Sequence, residues 1–323
     1  MKKMLALLTV LALLLLGLSL WLTQPVFVSS GKQVPPASLP GRLRTHVEAL
    51  AGFAPRDLHH PAGLDRAAAY IRGEFRKAGA EVSEQSFELE RHEYRNVLAR
   101  FGPESAEMLV VGAHYDAFDD YPAADDNASG VAALIELAYL LGQARLPLRV
   151  ELVAYTLEEP PQFRNSQMGS AVHASELAVR GARLRAMIGL EMIGFFTDAP
   201  GSQEYPISGL KLLYPDAGNF IAVVGNFLDA PLVRRVKKAM TAASDLPVRS
   251  INAPRFVPGV DFSDHLNYWD NGYRAVMISD TAFYRNPNYH AASDTPQTLD
   301  YSRMAKVVQQ LFAAVMELAG ENH

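Results

Sequence analysis

The first apolar run of the chain is also its longest. Residues 4–22 are largely apolar and carry no charge, and Lys2 and Lys3 precede them. About 20 such residues cross the hydrocarbon core of a bilayer as a helix. We therefore predict a transmembrane or signal helix within residues 1–24.

An uncleaved signal anchor is the favoured form of this helix. Signal peptides usually have a shorter apolar region that ends at small residues, whereas Trp21, Leu22 and Thr23 follow here without an Ala-x-Ala pattern. The lysines that precede an anchor stay in the cytoplasm, so the rest of the chain is expected outside it and attached to the membrane. A cleaved segment would instead give a secreted or periplasmic protein.

Residues 25–40 separate this helix from the rest of the chain. They contain several Pro, Ser and Gly residues without a hydrophobic period, which predicts a linker. Beyond them, Leu64, Ala68, Ile71 and Phe75 recur at the spacing of one helix face. Similar patterns predict further helices at 39–50, 130–141, 170–180, 230–243 and 301–318.

Short apolar or alternating runs lie between the helices and predict strands. They occur at 82–89, 96–101, 108–113, 149–156, 186–191, 220–224 and 276–279. Residues 195–216, by contrast, are rich in Gly, Pro and Ser and predict an irregular segment. Strands that alternate with helices indicate a single α/β domain, residues 41–323, with a mixed, mostly parallel central sheet flanked by helices.

Composition narrows the possible functions. The 323 residues are 49% hydrophobic and 20% charged, as in ordinary globular proteins. A formal charge of −5 shows no basic excess, so nucleic acid is not expected as a partner. The chain has no cysteine, which excludes disulfides, thiolate metal sites and a cysteine nucleophile. Any metal must be held by His, Asp and Glu.

Acidic residues and histidines follow several of the predicted strands or lie in the loops between elements. Sites of open α/β sheets gather at the carboxyl ends of the strands, so side chains placed there are expected to meet. Each segment taken alone could also be a solvated loop or a capping carboxylate. The segments are His114 with Asp116, Asp125 with Asp126, Glu158 with Glu159, Glu191, and Tyr289 with His290.

Together and in this order, these segments resemble the co-catalytic dizinc aminopeptidase family, which includes secreted bacterial aminopeptidases, glutamate carboxypeptidase and the glutaminyl cyclases. The resemblance covers roughly residues 41–319. It implies a central sheet of about eight strands. The motifs that carry it are Ala113-His114-Tyr115-Asp116, Asp125-Asp126-Asn127-Ala128-Ser129-Gly130, Leu157-Glu158-Glu159, Leu190-Glu191-Met192-Ile193-Gly194, Ser263-Asp264-His265, and Tyr289-His290 with Ser293-Asp294-Thr295.

The resemblance implies two Zn²⁺ ions per chain. By position, Asp126 is expected to bridge them, His114 and Glu191 to complete one ion, and Glu159 and His290 to complete the other. Three protein ligands per ion would leave a place for a shared water, as catalytic zinc requires. The nitrogen and oxygen donors suit zinc, although cobalt or manganese could also bind.

The resemblance also implies three catalytic roles. Glu158 is expected to be the general base that takes a proton from the water and later gives it to the leaving amine. Asp116 is expected to orient the imidazole of His114. Tyr289 is a candidate donor to the oxyanion.

One expected ligand departs from the common family pattern. Well-known members more often carry Asp where this chain has Glu191. A glutamate is one methylene longer and binds zinc equally well, so a small change of geometry is expected. A weakened second site would leave one tightly bound ion, as in the cyclases.

Other polar residues have simpler interpretations. Asp119, Asp120 and Asp125 are interpreted as loop carboxylates, His265 as structural or supporting, and His173 as a surface or core residue. Aromatic residues in the later loops could line a substrate pocket or pack in the core: Phe262, Tyr268, Trp269, Phe283 and Tyr284.

These inferences lead to a functional prediction. The chain is expected to be a membrane-anchored, extracytoplasmic zinc metallopeptidase that removes N-terminal residues from peptides. Two alternatives stay open: a glutaminyl cyclase or another amide-processing enzyme on the same scaffold, and an inactive binding homologue. The sequence predicts neither the substrate side-chain preference nor the oligomeric state.

Overall fold

An eight-stranded mixed sheet runs through the computed structural model, which describes residues 2–32 and 34–320. The strands are β1 (Glu81–Leu89), β2 (His92–Phe101), β3 (Glu107–His114), β4 (Arg149–Tyr155), β5 (Arg183–Glu191), β6 (Ile221–Gly225), β7 (Val248–Asn252) and β8 (Ala275–Ser279). The helices are α1 (Lys2–Thr23), α2 (Leu39–Ala51), α3 (Pro61–Lys77), α4 (Gly130–Leu141), α5 (Gly169–Val179), α6 (Ala230–Ala243), α7 (His265–Asp270) and α8 (Tyr301–Ala319).

The central strands run in parallel. The spatial order is β1-β2-β4-β3-β5-β8-β6-β7, and β3 pairs in parallel with β4 and β5, as β5 does with β8. Strands β6 and β7 are parallel to each other but antiparallel to β8. The carboxyl ends of β3, β4, β5 and β8 therefore share one edge of the sheet, here called the His114 edge. Those of β6 and β7 lie at the opposite edge, the Asn252 edge.

Alternate residues of the strands face two layers of helices. On one face, Leu109 and Val111 join the largest core cluster, which packs against α2, α3, α4, α6 and α8. On the other face, Val110 packs with Leu177 of α5 and Tyr268 of α7. Strands that are apolar on both faces are what a parallel sheet between helix layers requires.

The predicted single α/β domain, its eight-stranded mixed sheet and its N-terminal apolar helix are confirmed. The sequence pattern does not predict β7 or α7, and β2 begins at His92 rather than at residue 96. The segment 195–216, predicted to be irregular, contains the 3₁₀ helix Ser208–Leu212. Helix α2 begins at Leu39, inside the predicted linker. Residue 1, residue 33 of that linker and residues 321–323 of the predicted domain lie outside the described residues.

Helix α1 projects from the domain with almost all of its side chains exposed. Among the described residues, one helix is long and apolar enough to cross a membrane, and it is α1. A cleaved signal sequence would have the same length and composition.

Arg56 fixes the loop that follows β3. Its guanidinium is fully buried and donates to the carbonyl oxygens of Tyr115 at 2.9 Å, Pro122 at 2.7 Å and Ala123 at 2.9 Å. Burial lowers the pKa of Arg56 to about 10, against the opposing effect of nearby carboxylates such as Asp116. The side chain therefore stays charged at neutral pH and holds residues 115–123 in place.

Replacing Arg56 with alanine should strongly destabilise the protein. The substitution removes three hydrogen bonds from buried carbonyl oxygens and the cation that faces Asp116, so we expect a loss of at least about 3 kcal/mol. Urea unfolding of the purified chain measures this. Arg66→Ala is the control, since Arg66 is exposed and donates one hydrogen bond of 3.2 Å. Equal effects of the two substitutions would contradict the role given to Arg56.

Candidate metal centre

The His114 edge brings together side chains that are far apart in sequence. His114 is the last residue of β3 and Glu191 the last residue of β5, two strands that pair directly. Glu158 and Glu159 follow the end of β4, which pairs with β3 on its other side. The parallel order of these strands therefore determines that the four side chains converge.

Asp126 reaches the same place from an irregular turn, Ala124–Ser129. Asp294 holds this turn, because its carboxylate accepts the backbone N–H of Asp125 at 2.9 Å and of Asp126 at 3.1 Å. Asn127 joins the turn to the end of β5: its amide donates to the carbonyl of Leu190 at 2.8 Å, and its Oδ1 accepts from Met192 N at 3.1 Å. Asp126 is thus fixed from both sides.

The two carboxylate oxygens of Asp126 face different groups of donors. Oδ1 lies 3.4 Å from His114 Nε2, which is itself 3.4 Å from Glu191 Oε2. Oδ2 lies 3.2 Å from His290 Nε2, which is 3.2 Å from Glu159 Oε2. Each oxygen therefore belongs to a separate group of three side chains.

These groups fit a metal ion by donor type and spacing. Donor atoms lie within 4.8 Å of one another in the groups His114-Asp126-Glu191 and Asp126-Glu159-His290, and also in His114-Glu158-Glu159. Within the described residues, neither ring nitrogen of His114 nor Oε1 of Glu159 has a hydrogen-bond partner, although both are buried. Buried polar atoms without a hydrogen-bond partner are unfavourable, and a bound ion would give these atoms a partner. Imidazole with carboxylate is a usual ligand set for zinc.

The potential inside the cluster is strongly negative. Burial lowers the pKa of His114, but Glu191 and Glu158 outweigh it and hold that pKa well above the usual range. Burial, together with Asp126, raises the pKa of Glu159 to about 7, although His290 opposes the shift. Both shifts show an environment that favours positive charge, as a cation site must.

Glu158 stands beside the two groups. It is 6% exposed, and its Oε2 is 4.0 Å from His114 Nε2. Burial raises the pKa of Glu158 well above its usual range, His114 opposes the shift, and Glu159 and Glu191 add to it. A carboxylate with a raised pKa in a buried cluster is a candidate for proton transfer.

Two further residues contact the expected ligands. Asp116 Oδ1 lies 3.3 Å from His114 Nδ1, while its Oδ2 accepts from the backbone N–H of Glu159 at 2.9 Å. Ser263 Oγ donates to Glu191 Oε2 at 2.7 Å. Such contacts fix the direction of a ligand. The Ser263 contact was not part of the sequence interpretation, and only the Ser-Asp-His motif pointed toward it.

The remaining polar residues lie elsewhere. Asp119 and Asp120 are exposed. Asp125 is buried rather than solvated: Oδ1 accepts from Gly194 N at 2.8 Å, and Oδ2 from Asn286 Nδ2 at 2.7 Å. His265 and His173 are core residues. His265 Nε2 donates to the carbonyl of Val260 at 2.8 Å, and His173 contacts Glu151 and Tyr268.

Aromatic rings surround His290. Its imidazole lies between the ring of Phe118, with centroids 4.1 Å apart, and the ring of Tyr289, with centroids 3.9 Å apart. Both rings are nearly parallel to it, at 2° and 14°. His290 is thereby held in one orientation although it lies in a loop.

An apolar cleft with a cavity volume of about 100 Å³ is lined by residues that include Glu191 and Tyr289. Of the five aromatic residues considered above, Phe262, Phe283 and Tyr284 line the cleft. Tyr268 and Trp269 instead pack against core clusters. Other lining residues include Phe220, Ala222, Val224, Val257, Val260 and Met277.

A mixed α/β sheet whose parallel strands end at a buried cluster of imidazoles and carboxylates is an arrangement found in metal-dependent hydrolases. Residues 96–315 match the family model "Peptidase family M28", which is more than half of the chain. The chain therefore belongs to peptidase family M28. The family resemblance drawn from the motifs is confirmed, and the protein is a metallopeptidase of a family that implies a metal, typically zinc.

Two curated relatives illustrate the family. The uncharacterized protein YfbL of Escherichia coli (strain K12) is 45% identical over 95% of this chain and 97% of its own length. Leucine aminopeptidase 1 of Grosmannia clavigera is 25% identical over 86% of this chain and 67% of its own length.

Two solved structures share the fold. The zinc aminopeptidase BSAP from Bacillus subtilis superposes with a TM-score of 0.71 and 13% identity, covering 90% of this chain and 97% of its own. Glutaminyl cyclase of Porphyromonas gingivalis has a TM-score of 0.65 and 21% identity, covering 85% and 97%. At such identities the likeness concerns the fold alone.

Metal content should depend on Asp126 and not on Asp119. Asp126→Ala removes the carboxylate shared by both groups, so the metal content per chain should fall to nearly none. Asp119→Ala changes an exposed carboxylate of the same loop region and should leave zinc unchanged. Elemental analysis of the purified chain, with circular dichroism to check folding, measures both. Full zinc content in a folded Asp126→Ala variant would contradict a position of Asp126 that is shared by the two groups.

Proposed function

We propose that the chain is a zinc aminopeptidase that hydrolyses the N-terminal peptide bond of peptides with two metal ions. One observation supports the proposal above all others. The two carboxylate oxygens of Asp126 face two separate groups of metal-type ligands, and an apolar cleft lies beside them. In this proposal Asp126 would be shared by the two ions, His114 and Glu191 would hold one, and Glu159 and His290 would hold the other.

Zinc supplies Lewis acidity, which activates water and polarises a carbonyl group. The protein's own contribution to proton transfer is Glu158. Its carboxylate is buried next to His114, and burial raises its pKa well above the usual range, which makes it a stronger base than an exposed glutamate. Glu158 takes the proton of the attacking water and delivers it to the amine that leaves.

Asp116 and Tyr289 have supporting roles in the proposal. Asp116 contacts His114 Nδ1 and thereby directs Nε2 toward Asp126 and Glu191. Burial, with nearby carboxylates such as Asp126, raises the pKa of Tyr289. Its hydroxyl therefore keeps its proton and can donate to the carbonyl oxygen of the substrate as negative charge develops there.

The cleft supplies the substrate preference. Its walls are mostly aliphatic and aromatic, and Glu191 of the donor cluster is among the residues that line it, so the side chain of the N-terminal residue can enter it while the scissile bond lies at the donor cluster. Burial of a large apolar side chain in such a cleft stabilises binding by about 1.5–3 kcal/mol. The proposed substrates are therefore peptides with a large apolar N-terminal residue.

We also propose where the protein lies relative to the membrane. Helix α1 acts as an uncleaved signal anchor with Lys2 and Lys3 in the cytoplasm, and residues 41–323 form the catalytic domain outside it. The partners are then a peptide substrate and the membrane through α1.

Replacing Glu158 with glutamine should remove activity but retain metal. Glutamine has nearly the same shape and cannot accept the proton, so kcat on a leucyl nitroanilide should fall by roughly 10²–10⁴-fold. Zinc content should match the unchanged protein. Glu88→Gln, at an exposed glutamate of β1 away from the cleft, is the control and should retain full activity. Cyclisation of glutaminyl peptides without hydrolysis by the unchanged protein would favour the cyclase, and zinc-loaded protein without either activity would favour an inactive homologue.

Filling the cleft should change the substrate preference. Ala222 lines the cleft, and Ala222→Leu adds three carbons to its floor. We expect kcat/KM for phenylalanyl substrates to fall at least about tenfold, with little change for alanyl substrates. Ala313→Leu, half-buried on α8, is the matched control and should leave the ratio unchanged. Equal losses on both substrates would indicate that the cleft does not receive the N-terminal side chain.

A further inference from the structure

The C-terminal end of helix α1 is hydrogen-bonded to the sheet and to α6, and does not continue directly into a free linker. The carbonyl of Trp21 accepts a hydrogen bond from Asn252 Nδ2 at 3.1 Å. The carbonyl of Thr23 accepts one from Lys237 Nζ at 2.7 Å and one from Ser250 Oγ at 2.8 Å. The last carbonyls of a helix have no partner within it, so residues of α6 and β7 supply what the helix end lacks. A lysine at this end is also favoured by the helix dipole.

The residues after α1 continue along the domain. Gln24 is 8% exposed, and Gly31 N donates to the carbonyl of Thr241 at 3.0 Å. Gly31 lies so close to α6 that an added Cβ would be 2.3 Å from the carbonyl oxygen of Ala242. The catalytic domain is therefore attached to α1 by packed contacts.

The direction of α1 follows from these contacts. Trp21 meets Asn252, the last residue of β7, and Thr23 meets Ser250, two residues earlier in the strand. Gly31 meets Thr241 near the end of α6, which leads back to the start of β7. The chain therefore enters at the Asn252 edge and moves toward the His114 edge. Helix α1 projects beyond the Asn252 edge.

Exposed apolar side chains lie at this same edge. Phe227 and Leu228 follow β6 and are 41% and 79% exposed, and Phe256 follows β7 and is 84% exposed. Two arginines accompany them. Arg274 Nη1 donates to the carbonyl of Leu228 at 2.7 Å, and Arg255 pairs with Asp270. Apolar and aromatic side chains with arginines beside a spanning helix are typical of residues at a membrane interface.

We propose that the Asn252 edge contacts the bilayer and that the His114 edge, with the proposed metal ligands, faces the aqueous phase. This inference rests on the anchor included in the proposed function. Strand β3 has eight residues and so spans about 26 Å. The cluster therefore lies well above the lipid headgroups, and its substrates are water-soluble peptides that arrive from the aqueous phase, not N-termini that lie at the membrane surface.

Site-directed spin labels can test this orientation. The chain has no cysteine, so single cysteines introduce labels without a background. Leu228→Cys and Phe256→Cys place labels at the Asn252 edge, and Asp120→Cys places one in an exposed loop at the His114 edge. The full chain is reconstituted in phosphatidylcholine vesicles with a minor fraction of phosphatidylglycerol. Collision with oxygen and with a water-soluble nickel chelate then reports the depth of each label.

The proposal expects a several-fold higher oxygen-to-nickel ratio at residues 228 and 256 than at residue 120. Equal ratios at all three positions in vesicles that float with the protein would refute the orientation but leave the anchor intact. Labels at 228 and 256 protected from both reagents would indicate a second protein copy on this surface and would also refute it. Protein that does not float with vesicles would refute the anchor and the orientation together.

The docked helix end can be tested separately. The double substitution Lys237→Met and Asn252→Ala removes two of the hydrogen bonds to α1. Because the domain can then tilt more freely, the oxygen-to-nickel ratio of a label at residue 228 should fall. Lys238→Met, at the exposed neighbouring position, is the matched control and should leave the ratio unchanged. An unchanged ratio in the double variant, or an equal fall in the control, would contradict a domain held by these contacts.

Discussion

The repulsion among buried carboxylates is the constraint around which this protein is arranged. Asp116, Asp126, Glu158, Glu159 and Glu191 lie within one small volume and are at most 6% exposed. Buried charges of one sign are very unfavourable unless donors and opposite charges surround them. Backbone N–H groups, two imidazoles and the guanidinium of Arg56 supply part of this compensation, and the metal that the family implies would supply the rest. The parallel strands matter because they bring these groups together at a single edge.

Much of the fold could be predicted because long elements have a clear hydrophobic period. The failures have local physical causes. Strand β7 has five residues, one of them exposed and one half-buried, so its pattern is too short to stand out. Helix α7 has six residues, fewer than two turns. The hairpin between β1 and β2 turns at Glu90 and Arg91, both with positive φ, whereas such turns are usually marked by Asn or Gly. The start of β2 therefore carries no sequence signal.

The candidate site shows a similar division. The side chains expected to hold metal were predictable because they follow strands or recur in motifs, and the structure places them together, although their roles remain proposals. Residues that act through backbone contacts were not predictable. Arg56 binds carbonyl groups 59 to 67 positions away in sequence, and Asp294 binds amides about 168 positions away. Asp125 and Asp126 are neighbours with the same side chain, yet one faces Gly194 and Asn286 and the other faces the histidines. Only the tertiary arrangement separates them.

The two histidines of the cluster differ in solvent exposure. The side chain of His290 is 21% exposed, whereas that of His114 is 1% exposed. An ion that exchanges with solvent therefore meets the imidazole of His290 first, between the flat faces of Phe118 and Tyr289. Those faces hold the ring without competing for its nitrogen. If two ions bind as proposed, the ion at His290 would exchange with solvent more readily than the ion at His114.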